Sequence, residues 1–67
     1  MNAFEARLIG LADTFGIEIK RRCLPEIAMC IQENLYEDAA GSAIVRALRD
    51  LQITRPRYFG SDEVVAP

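Results

Sequence analysis

Apolar residues recur at the spacing of one helical face in three separate stretches of this chain, and that recurrence predicts its elements. In the first stretch Met1, Phe4, Leu8, Leu11 and Phe15 lie 3, 4, 3 and 4 positions apart, a narrow seam that Ile9 and Ala12 widen. Asn2 stands where an N-cap belongs, and Glu5 three positions on completes a capping box. Gly16 suits the left-handed turn that ends many helices, with Ile17 beyond it as the apolar companion. A first helix is therefore predicted over 2–15. Gly10 in its middle costs about 1 kcal/mol relative to alanine, so a close approach by another helix is the expected reason for it.

From Ile17 to Lys20 apolar and polar residues alternate, which suits a short extended piece. Four residues cannot make a sheet alone, and the sequence offers no second strand. Residues 16–24 are read as a connector with room for one helical turn. Pro25 fits the first turn of a helix, where its missing N–H would have no partner anyway, and Glu26 favours the positive end of the dipole. Leu24, Ile27, Ala28, Ile31 and Leu35 then line one face, flanked by Met29 and Cys30. This predicts a second helix over 25–38. A single helix from 17 to 38 is disfavoured, because it would bury a proline in its middle.

Ala39, Ala40 and Gly41 form a weak break, after which Ser42 is the expected cap of a third helix. Ile44, Val45, Leu48 and Leu51 are its apolar face, and it is predicted to end near Gln52. Arg46 and Asp50 stand four apart on the outside, in the weaker order for a helical ion pair. The remainder changes character. Pro56 holds Thr54 and Arg55 away from helix, and Arg55, Arg57, Tyr58 and Phe59 make the segment basic and aromatic before a short acidic end. The pattern as a whole predicts an all-α fold: a small three-helix bundle over 1–53 and an extended C-terminal tail over 54–67.

Composition changes this picture in one respect, which is the need for support. The apolar share of 51% argues against disorder for the bulk of the chain. Yet 67 residues bury only a modest core, worth roughly 3–5 kcal/mol unless something is added. Cys23 and Cys30 are seven apart, about 10 Å along a helix, which is too far for a disulfide. The start of the sequence lacks the basic stretch and long apolar run of a secretory signal, and no segment is apolar enough to span a membrane. Reduced thiols in the cytoplasm are the expectation. No histidine is present and the cysteines lack the spacing of a zinc site, so no metal and no cofactor are expected. Association with another chain is left as the stabiliser.

Catalysis is poorly provided for. A nucleophilic Cys30 would need a base that the composition does not supply, and a core or boundary role accounts for it better. Lys20, Arg21 and Arg22 precede Cys23 and would favour its thiolate, but a boundary role is again the preferred reading. Glu33, Glu37 and Asp38 read as a solvated helix face. The chain is expected not to be an enzyme.

Binding is better provided for. Arg46, Arg49, Arg55, Arg57, Tyr58 and Phe59 combine planar cations with aromatic rings, the types enriched where partners bind. The alternative is that Tyr58 and Phe59 fold back over the open end of the bundle and leave the arginines solvated. The seam of Phe4, Leu8, Leu11 and Phe15 would suit a homodimer, or else the packing of helix one within its own chain. A helix-turn-helix is not favoured, since the break between helices two and three is too far along and the acidic residues would repel phosphates. With a net charge of −2, nucleic acid is the lesser partner. A larger protein is the leading one, which suggests a regulator or inhibitor of the kind phage and mobile elements direct at host machinery. A structural assembly subunit is the remaining alternative.

Overall fold

The computed structural model describes residues 1–61, and the acidic end of the tail lies outside them. Three helices make up the fold: α1 over Ala3–Thr14, α2 over Leu24–Gln32 and α3 over Gly41–Thr54. Two single 3₁₀ turns, Arg21–Cys23 and Pro56–Tyr58, precede α2 and follow α3. The chain is an all-α bundle, as the periodicity predicts.

Helix α1 begins and ends as its sequence dictates. The Glu5 backbone N–H donates to Asn2 Oδ1 at 2.8 Å, and the Asn2 N–H donates to Glu5 Oε1 at 2.9 Å, closing the capping box. At the other end Gly16 takes φ 70°, a left-handed conformation that costs an L-residue. The Ile17 N–H reaches back to the Ala12 carbonyl at 2.8 Å and the Gly16 N–H to Asp13 at 3.3 Å. These are the paired hydrogen bonds of a Schellman ending, and buried Ile17 supplies its apolar contact.

Helices α2 and α3 depart from the sequence reading at their ends. Helix α2 stops at Gln32 and does not continue to residue 38. The Asn34 and Leu35 N–H groups both turn onto the Ile31 carbonyl, and the chain unwinds from there. Acidic Glu33, Glu37 and Asp38 would fall at the negative end of the dipole, and nothing basic follows to offset them. The link 33–40 is tied down from outside: Arg7 Nη1 donates to the Glu37 carbonyl at 2.9 Å, and Gln32 Nε2 to Glu37 Oε1 at 3.3 Å. Helix α3 starts at Gly41 with Ala40 as its cap, and Ser42 makes no capping hydrogen bond. Helix α3 also runs two residues past Gln52, until Pro56 ends any continuation.

One core joins the three helices. Phe4, Leu8 and Ala12 from α1 meet Leu24, Ile27, Ala28 and Ile31 from α2 and Ile44, Val45 and Leu48 from α3. Leu8, Ile27, Ile44 and Leu48 are fully enclosed. Gly10 has nothing within 4 Å of a Cβ built on it, so no helix approaches there. The close approach is at Gly41, where such a Cβ would stand 3.2 Å from Leu11 Cδ2.

The start of the tail is folded. Phe59 pairs with Ile19 in an isolated antiparallel bridge. The Lys20 N–H donates to the Tyr58 carbonyl at 3.0 Å and the Gly60 N–H to the Glu18 carbonyl at 2.8 Å. The alternating segment therefore has its partner strand residue in the tail. Thr54 ends α3 and residues 55–60 return onto the bundle, so the extended segment predicted over 54–67 does not begin at Thr54.

Candidate functional site

The predicted contact residues separate into three groups. Phe4 and Leu8 of the helix-one seam are 4% and 0% exposed, enclosed by α2 and α3 of their own chain. Leu11 is half-buried against Gly41, and Phe15 at the end of the seam is 49% exposed. Phe4 and Leu8 thus face inward, serve the contact of α1 with the other two helices and offer no surface to a second copy, while Phe15 stays exposed.

The second group is the turn at the end of α3. Tyr58 and Phe59 are half-buried and packed against the core, which is the fold-back alternative. Arg55 and Arg57 flank Pro56 and are exposed. The turn is fixed at both ends: the Tyr58 N–H donates to the Arg55 carbonyl at 3.1 Å, and the bridge to Ile19 holds the following residues. Gly60, whose N–H donates to the Glu18 carbonyl beside the bridge, takes φ 106°, a conformation that glycine adopts without the cost of a Cβ. Two guanidinium groups are presented on a short, anchored turn.

The third group centres on a groove that the sequence reading missed. An open cleft of about 390 Å³ runs between α2 and α3. One wall is Cys30, Ile31, Asn34 and Leu35, from the end of α2 and the turn beyond it. The other is Ala43, Ala47 and Leu51 of α3, with Arg46, Asp50 and Thr54 along it. Arg46 belongs here, apart from the Arg55–Arg57 turn, while Arg49 is on the exposed side of α3 in the same stretch as Ile53, which is 79% exposed. A width signal was present in the sequence. The apolar arc of α3 extends from Ile44 and Leu48 round to Ala43, Ala47 and Leu51, and that second side lines the groove.

The cysteines are free and half-buried, Cys23 at the end of the first 3₁₀ turn and Cys30 in the groove wall. Among the described residues no three His, Cys, Asp or Glu side chains gather as a metal-binding group. No helix among them is long and apolar enough to cross a membrane. The link 33–40 between α2 and α3 exceeds the three- or four-residue turn of a helix-turn-helix. Comparison with family models, with curated proteins and with solved structures finds no match to this chain.

Proposed function

We propose that this chain acts without catalysis in the cytoplasm, as a small regulator or inhibitor that binds a larger protein in fixed stoichiometry. The observation that carries the reading is the anchored turn: Arg55 and Arg57 stand exposed on a 3₁₀ turn pinned to the bundle by the Ile19–Phe59 bridge. Arginines held on a fixed backbone lose less conformational freedom on binding than the same residues on a free tail. Their planar, fork-shaped donors match carboxylates two at a time. A partner with an acidic surface is therefore the kind that fits. The exposed acidic residues Glu33, Glu37 and Asp38 disfavour a nucleic-acid duplex by repulsion from its phosphates.

The test is a comparison of the wild-type chain with the double variant Arg55→Glu, Arg57→Glu, each immobilised and exposed to a cell lysate. One protein retained at a fixed ratio by the wild type and lost by the variant is the expected result. Equal retention by both chains would reject the turn as the contact surface. Retention of nuclease-sensitive material with steep salt dependence would replace the protein reading by a nucleic-acid one.

A further inference from the structure

We infer that the α2–α3 groove is the interface between two copies of this chain, paired about a two-fold axis with their α3 helices antiparallel. The groove shares no residue with the Pro56–Tyr58 turn, so this inference goes beyond the partner-binding reading and stands or falls apart from it. The argument rests on the charges. Arg46 and Asp50 both border the groove, one helical turn apart on α3, and both are exposed. A two-fold axis crossing α3 between them sets Arg46 opposite Asp50 of the second copy and Asp50 opposite its Arg46. A surface with one cation and one anion so placed is complementary to itself, which is what a closed two-fold interface requires.

The groove beside those charges suits a helix. Ala43 and Ala47 have short side chains that let a second backbone come close, while Leu35 and Leu51 supply apolar surface beside them. Leu35 and Leu51 are only half-buried in the single chain. Two copies joined here place α2 and α3 against their counterparts as a four-helix layer, adding apolar contact to a core that is small for independent stability. The charges beside the axis fix the register and exclude a parallel arrangement, in which like charges would face each other; the apolar residues supply the affinity.

Charge reversal tests this directly. Light scattering of the wild-type chain over a rising concentration series should reach twice the 7.5 kDa chain mass. Arg46→Asp alone and Asp50→Arg alone should each remain at the single-chain mass, because each places like charges across the axis. An equimolar mixture of the two variants should dimerise, since every cross-axis pair is then of opposite sign. The double variant R46D/D50R should dimerise on its own for the same reason. Helical circular dichroism shows that each variant is folded, and recovery in the mixture establishes it independently. A wild-type mass that stays at one chain at every concentration would overturn the inference. So would a dimer that neither single reversal weakens, or a mixture that fails to recover.

Discussion

Ile19 and Phe59 face each other across the one isolated bridge among the described residues, forty positions apart in the chain. The hydrogen bonds lie on either side of the pair, from Lys20 to Tyr58 and from Gly60 to Glu18. In an antiparallel ladder this is the position where facing side chains come closest. The bridge joins the connector before α2 to the segment after α3, and so closes the bundle at that end. Its dependence on Gly60 can be measured. With φ at 106°, Gly60→Ala is expected to lower stability by about 1–2 kcal/mol. For a chain of this size that is a fall of about 4–8 °C in Tm for each kcal/mol, read from a thermal melt. An unchanged Tm would show that residue 60 does not need glycine.

Gly10 gives the opposite expectation. It sits inside α1, is exposed, and has open space where a Cβ would stand. Gly10→Ala should stabilise the chain by about 1 kcal/mol through helix propensity and a less flexible unfolded state. Chemical denaturation of the two chains measures the difference. A destabilised variant would reveal a contact at that face.

The helix caps separate a real signal from an apparent one. Asn2→Ala removes an acceptor that holds the Glu5 N–H and should cost about 1 kcal/mol. Ser42→Ala should change stability by less than about 0.5 kcal/mol, because Ser42 makes no capping hydrogen bond and is exposed. Equal losses in urea titrations of the two variants would contradict this assignment of the α3 start.

The core leaves little margin. Leu48 is fully enclosed between helices, and Leu48→Ala should cost about 2–5 kcal/mol. That is comparable to the roughly 3–5 kcal/mol available to a core of this size. Far-ultraviolet circular dichroism at room temperature should show the variant substantially unfolded. Retention of the full helical signal would mean that the core is worth more than that range.

The features legible in the sequence are those whose physics is local. The Asn2–Glu5 capping box, the Gly16 ending with Ile17 behind it, and Pro25 in the first turn of α2 each involve residues a few positions apart. The apolar periods of α1, α2 and α3 are local as well, and they predict the core because a helix fixes which residues share a face. The fold-back of Tyr58 and Phe59 was one of two readings open in the sequence, but the bridge to Ile19 that anchors it was not legible there.

Where the sequence misled, a competing signal acted over distance or at a terminus. The apolar face of α2 continues to Leu35, yet the helix ends at Gln32. Leu35 still reaches the core from the turn beyond, so burial did not require more helix. Gly10 looked like the contact glycine because it interrupts a strong pattern, whereas the contact falls at Gly41, in a break between elements.

The sequence by itself determined three helices, both ends of the first and their inward faces, since hydrogen bonding and side-chain spacing within a helix depend on neighbours in the chain. Only the tertiary structure decided that Phe59 pairs with Ile19, that Leu11 meets Gly41, and that Arg46 and Asp50 border a groove left open between α2 and α3. Those relationships join residues far apart in sequence. They follow from how three packed helices divide the space around one core, which no local pattern encodes.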